Sequence, residues 1–192
     1  MTDEGVRKLV RGRAVAASLV AVLAVVYGSS VSRIPSPEGP DGFWVANVAA
    51  PWLALAFAAG ATQTRALGSM FAGAVTDVVT VLAFYSGFLT INAGHSDLLS
   101  RLPDWFVFIL PWVAIAFTGG CLYGYLGFRW KVHASRTAAV LFAAPFLLEV
   151  VVQRVVDGRW PGSWPFFIAL GVVGLAATVV LLIVMKPMES RP

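Results

Sequence analysis

Six long apolar segments constrain this chain of 192 residues more than any other feature. Each holds at least about 18 residues, the usual length of a helix that crosses a bilayer. They run over residues 14–31, 43–62, 66–91, 105–128, 137–156 and 164–185. Because a backbone in lipid must satisfy its own hydrogen bonds, the segments are predicted to be transmembrane helices.

The composition excludes a water-soluble monomer. Hydrophobic residues make up 58% of the chain and charged residues 12%, against about 45–50% and roughly 25% in soluble domains. The polar connections are too short to fold alone, so residues 1–192 are predicted to form a single integral membrane domain. The predicted fold is all-α: a polytopic transmembrane six-helix bundle in contact with the lipid bilayer.

The distribution of Lys and Arg predicts the topology. With the N-terminus inside, ten of the 14 basic residues lie on the inner side of the membrane. By the positive-inside rule, both termini are expected in the cytoplasm and the protein in the plasma membrane. The first segment could instead be a secretory signal peptide, since basic residues precede it. Its 18 apolar residues exceed the usual 7–15 of a signal peptide, which favours a retained helix.

An internal repeat links the second and fourth segments. Residues 51–60 and 111–120 are identical at six of ten positions, both beginning with Pro-Trp. The match predicts a parallel repeat of helix pairs, two and three against four and five; convergence of alanine-rich helices is the alternative. Kinks at Pro51 and Pro111 would open an outer cavity lined by Trp52 and Trp112. The kinks could equally serve packing alone.

Two carboxylates fall at membrane depth. Asp77 and Glu149 are predicted about 16–18 Å from the inner ends of helices three and five, near the midplane of the bilayer. Charged residues there usually face the bundle interior and are candidates for function. Three neighbours complete the candidate midplane polar site: Thr80, Gln153 and Arg154. A structural polar clasp, in which Arg154 neutralises one acid, is the alternative.

Small side chains accompany the acids. Helix three carries a stripe of small and hydroxyl residues that includes Gly73, Asp77 and Thr80. Such a stripe suits close helix contact, and it would also suit a polar pathway. The spacing of Gly120 and Gly124 likewise predicts tight packing of helix four.

Several classes of function are disfavoured. One cysteine, Cys121, and two histidines make a metal site improbable. No nucleotide- or zinc-binding motif is present, so no cofactor and no catalytic residue are predicted. Nucleic-acid binding is not expected, because the basic residues are dispersed rather than clustered on one face.

The segment at residues 50–60 and the use of eleven arginines against three lysines give the chain a resemblance to known proteins. It resembles small multi-pass membrane proteins of actinobacteria that are grouped as families of unknown function, which implies six helices and no assigned activity. It is also similar, more faintly, to the substrate-binding subunits of energy-coupling-factor vitamin importers. In those subunits an Ala-xxx-Ala face meets a transmembrane partner, and Ala17 and Ala21 match that face.

These patterns lead to one preferred function and two alternatives. The preferred function is the binding or transport of a small solute or proton by the midplane carboxylates. The first alternative is a non-catalytic scaffold or accessory subunit, associated with a membrane protein partner or with copies of itself. The second is an intramembrane enzyme that uses both acids on a lipid-soluble substrate.

Overall fold

The computed structural model describes residues 3–34, 48–92, 98–156 and 164–184. Within these ranges the chain forms six α-helices and no strand, which confirms the all-α prediction. The helices are α1 Asp3–Val31, α2 Ala49–Ala61, α3 Ala66–Asn92, α4 Leu98–His133, α5 Arg136–Val156 and α6 Trp164–Val184.

Four of the described helices are long and apolar enough to cross a membrane, by length and composition: α1, α3, α4 and α6. α2 is apolar but has only 13 residues, so it is about 20 Å long against the ~30 Å of a hydrocarbon core. α5 carries Arg136, Glu149 and Arg154, and it is not among the four. The expectation of six spanning helices is therefore supported for four of them.

The helix ends differ from the predicted ones in two directions. α1 and α4 extend beyond their apolar segments, and the extension of α4 continues through Pro103. α2 begins later than predicted, at Ala49, because Val48 is extended (φ −77°, ψ 107°); residues 43–47 lie outside the described ranges. Pro51 consequently falls in the first turn of α2, where its missing N–H is not needed. The predicted kink at Pro51 has no basis there, whereas Pro111 lies inside α4.

Glycines bring α2, α3 and α4 into close contact at the centre of the bundle. A Cβ built on Gly73 would meet the backbone of Gly120, and one built on Gly124 would meet the carbonyl oxygen of Ser69. A Cβ on Gly60 would meet the backbone of Gly124. The tight packing predicted from the Gly120–Gly124 spacing is thus confirmed, and the small residues let the three backbones touch.

The other helices pack around this centre. α1 lies along α3, with Gly28 against the backbone of Thr80. α5 lies against α2 and α4, and the Tyr123 hydroxyl donates a hydrogen bond to the Leu141 carbonyl at 3.1 Å. α6 lies on α5, where Gly174 touches the ring of Phe146.

Many large apolar side chains point away from the bundle. The exposed fraction reaches 81% for Leu67, 76% for Val107 and 75% for Ile183, on three different helices. Water-soluble monomers rarely expose apolar patches of this extent, so this surface fits a lipid environment.

Candidate functional site

The first turn of α2 lies at the depth of both carboxylates. Residues 62–65 join α2 to α3 and residues 134–135 join α4 to α5, at one end of the bundle that we call the turn end. Counted along the helices, Ala49 and Asp77 are about 17–18 Å from the turn end, and Glu149 is about 20 Å from it. α2 therefore begins inside the bundle, in the layer that holds the acids.

A cavity of about 170 Å³ lies between α2, α3 and α4 in this layer. Its walls are mostly apolar and contain three large aromatic side chains and one carboxylate. It is lined by Ala49, Trp52, Leu53, Asp77, Val81, Tyr85, Trp112, Ile115, Ala116 and Gly119. The two predicted cavity residues, Trp52 and Trp112, thus share one cavity with Asp77. Trp112 and Ile115 are also exposed on the outer face of α4, so this wall lies next to the surface of the bundle.

Asp77 is buried, and one of its carboxylate oxygens has no polar partner in the described part of the chain. Its exposed fraction is 2%, and its Oδ1 atom has no hydrogen-bond partner among the described residues. No charged side chain of the described part of the chain acts on it. The nearby hydroxyls of Thr76 and Thr80 donate to the carbonyls of Ala72 and Thr76, both at 2.8 Å. A carboxyl group so placed is stabilised either by a proton, which removes its charge, or by a cation that the described residues do not supply.

Trp52 carries the second unsatisfied polar atom of the cavity wall. Its Nε1 is buried and makes no hydrogen bond of ordinary geometry, although the Tyr27 phenol of α1 interacts with it. The indole ring packs against Phe84, with 5.8 Å between ring centroids. The ring is therefore fixed in the cavity wall.

Glu149 has a structural role. The backbone N–H of Ala49 donates a hydrogen bond to its Oε2 at 3.2 Å, and Val48 provides no side-chain cap for α2. A carboxylate at this position satisfies a free N–H group and faces the positive end of the helix dipole. Glu149 therefore caps α2 from a distant part of the chain.

The predicted midplane residues have different neighbours. α3 and α5 do not pack against each other within the described residues. Glu149 accepts a hydrogen bond from the Ala49 N–H in the first turn of α2, whereas Asp77 lines the cavity together with Ala49. Thr80 is buried against Gly28 of α1 and does not line the cavity. The side chains of Gln153 and Arg154 lie outside the described part of the chain.

Tyr85 is the site residue that sequence reasoning missed. It lies eight residues after Asp77, with Val81 between them, so the three residues recur at intervals of one turn along one helix face. That periodicity could have placed Tyr85 on the face of Asp77. A tyrosine in an apolar helix is, however, equally explained by packing, so the sequence alone does not single it out.

No cluster of metal-ligating side chains occurs within the described ranges. Comparison of the chain with family models, with curated proteins and with solved structures finds no match. The class that the fold and site define is therefore an all-α membrane protein with a buried carboxylate in an aromatic cavity.

Proposed function

We propose that this protein binds a small solute or a proton at Asp77 and moves it across the plasma membrane. The observation that carries the proposal is Asp77, which lines the cavity and whose Oδ1 has no hydrogen-bond partner among the described residues. Intramembrane carboxylates are costly, and they commonly belong to ion, proton or substrate pathways. The packing of Glu149 against α2 leaves Asp77 as the acid with no structural partner in the described residues.

We propose further that both termini lie in the cytoplasm. Ten basic residues against four support this orientation. The direction of the helices also supports it. α1 runs parallel to α3, because Gly28 and Ser32 meet Thr80 and Gly87 in the same order, and Trp130 near the end of α4 bonds to Leu181 near the end of α6.

Flux measurements in liposomes test the role of Asp77. Wild-type protein and Asp77→Asn are reconstituted with a pH-sensitive dye inside, and an inward pH gradient is imposed. Wild-type protein is expected to dissipate the gradient, alone or with a solute supplied, and Asp77→Asn to abolish that flux. Asp77→Asn should melt at or above the wild-type temperature, because it removes a buried unpaired acid.

A matched control separates a lost site from a damaged fold. Thr178 is a buried polar residue of α6 whose hydroxyl bonds to the Gly174 carbonyl at 2.9 Å, and it does not line the cavity. Thr178→Val is expected to keep wild-type flux. Flux that persists in Asp77→Asn contradicts the proposal.

A scaffold or accessory subunit is the second candidate function. It is favoured by the small-residue stripe of α3, because Gly73 and Thr80 both serve close helix contacts. This alternative predicts that wild-type liposomes show no flux and that Asp77→Asn lowers the melting temperature. An intramembrane enzyme has less support, since α3 and α5, which carry Asp77 and Glu149, do not pack against each other within the described residues.

A further inference from the structure

The cavity walls combine one carboxylate with three aromatic side chains. Asp77, Trp52, Tyr85 and Trp112 supply them, and the remaining walls are aliphatic or small. The faces of aromatic rings carry partial negative charge and attract cations, most strongly where water is excluded. Carboxylate and rings therefore favour the same sign of ligand charge, and an anion would be repelled.

The few polar groups that line the cavity argue against a bare metal ion as its ligand. Calcium takes about six to eight oxygen ligands, and magnesium demands an octahedral set. The cavity offers the carboxylate of Asp77 and the phenol of Tyr85, and the hydroxyls of Thr76 and Thr80 are directed to helix carbonyls. A cation that carries its own apolar surface fits these walls better than one that needs a full oxygen shell.

The cavity volume limits the size of that cation. A cavity of about 150 Å³ in a protein interior accommodates benzene. The cavity volume of about 170 Å³ consequently suits a compact ion slightly larger than benzene, of about seven non-hydrogen atoms. Trimethylammonium compounds such as choline have this size.

We propose that the cavity binds a small organic ammonium ion, with its charge on Asp77 and its methyl groups against Trp52, Tyr85 and Trp112. This inference rests on the proposed function, because it names the class of solute that the Asp77 site takes. The ion supplies the counter-charge that the described residues do not give to Asp77.

Isothermal titration of the full chain in detergent tests the charge requirement without any mutation. The probes are choline, tetramethylammonium and the neutral alcohol in which a tert-butyl group replaces the trimethylammonium group of choline. Choline and tetramethylammonium are expected to bind. The neutral alcohol, which matches choline in shape, is expected to bind at least about 30-fold more weakly, the lower bound for losing one partner of a buried charge pair. Equal affinity for choline and the alcohol, or no binding of either cation, overturns the inference.

Variants then locate the site. Asp77→Asn should weaken choline binding at least about 30-fold, and Trp112→Leu should weaken it by roughly 10- to 30-fold through loss of the ring face. Trp130→Phe is the aromatic control, since Trp130 lies outside the cavity and bonds to the Leu181 carbonyl at 3.2 Å. Wild-type affinity in Asp77→Asn, or a loss in Trp130→Phe as large as in Trp112→Leu, contradicts the assignment.

The two proposals fail in distinguishable ways. Flux that depends on Asp77 without choline or tetramethylammonium binding leaves the proposed function standing and removes the organic cation. If Asp77→Asn does not weaken cation binding, the proposal that the cation binds at Asp77 is wrong. Absence of both flux and binding removes both proposals and leaves the scaffold.

Discussion

Gly124 offers the most direct test of the helix packing that builds the cavity. A methyl group on Gly124 would overlap the backbone carbonyl oxygen of Ser69 and lie 3.1 Å from the Cα of Gly73. Both atoms belong to the backbone of α3, so neither can rotate away. Gly124→Ala must therefore push α3 and α4 apart at the level just below the cavity.

The size of the effect follows from two opposing contributions. Overpacking costs about 1–3 kcal/mol, and an overlap with rigid backbone belongs near the upper end of that range. Alanine stabilises a helix relative to glycine by about 0.5–1 kcal/mol. The net loss of unfolding free energy is expected to be about 2 kcal/mol, or roughly 4–8 °C in melting temperature for a chain of this length.

Gly68→Ala is the matched control on α3. The nearest atom to a Cβ on Gly68 is the Oε1 of Gln63 at 3.8 Å, which is ordinary van der Waals contact. Only the gain in helix propensity remains, so Gly68→Ala should raise the melting temperature by about 1–4 °C. Thermal unfolding in detergent, followed by tryptophan fluorescence, measures both variants. If Gly124→Ala melts as high as Gly68→Ala, the close approach of α3 and α4 is refuted.

Three further substitutions have expected outcomes in the same melting assay. Glu149→Leu removes the acceptor for the Ala49 N–H and should cost about 1–2 kcal/mol, with Glu149→Gln, which keeps an oxygen, losing less; equal losses would contradict the capping role. Ala134 has a positive φ of 46°, which costs an L-residue about 1–2 kcal/mol. Since glycine loses about 0.5–1 kcal/mol of backbone entropy relative to alanine, Ala134→Gly should stabilise by about 0.5–1 kcal/mol, and a loss would argue against this backbone conformation. Trp130→Phe removes the hydrogen bond to Leu181 and should cost about 1 kcal/mol; no change would mean that this bond contributes nothing.

The sequence was sufficient to predict helix number, because each apolar segment is bounded by polar residues and by Pro or Gly. It was not sufficient to predict the length of α2. The apolar run over residues 43–62 continues through Val48, and hydrophobicity alone cannot reveal that Val48 leaves the helical conformation. At its late start the first N–H of α2 donates a hydrogen bond to Glu149, a residue one hundred positions away, and such a long-range contact has no local signal.

The candidate site was only partly predictable, because the sequence gives the depth of a residue in the membrane but not the helix that it faces. Asp77 and Glu149 can be identified from the sequence, because placing a charged side chain at membrane depth costs free energy. Periodicity places Thr80 on the stripe with Asp77, but it does not specify which neighbouring helix each residue faces. Packing decides that question: Thr80 lies against α1, whereas Asp77 lines the cavity.

The two buried acids differ in a way that bears on function. Glu149 accepts the N–H that α2 would otherwise leave unsatisfied, so its charge stabilises the fold. Asp77 lies in the same layer, yet the hydroxyls of Thr76 and Thr80 are bonded to carbonyls of their own helix and give it no donor. If Asp77 served packing alone, an uncharged side chain of similar size would satisfy the bundle better, because an unpaired buried charge lowers stability. Violations of a local rule in an otherwise consistent structure are expected at functional sites. A carboxylate oxygen that the described residues leave without a partner is best explained by a partner that those residues do not supply, such as a bound proton or cation.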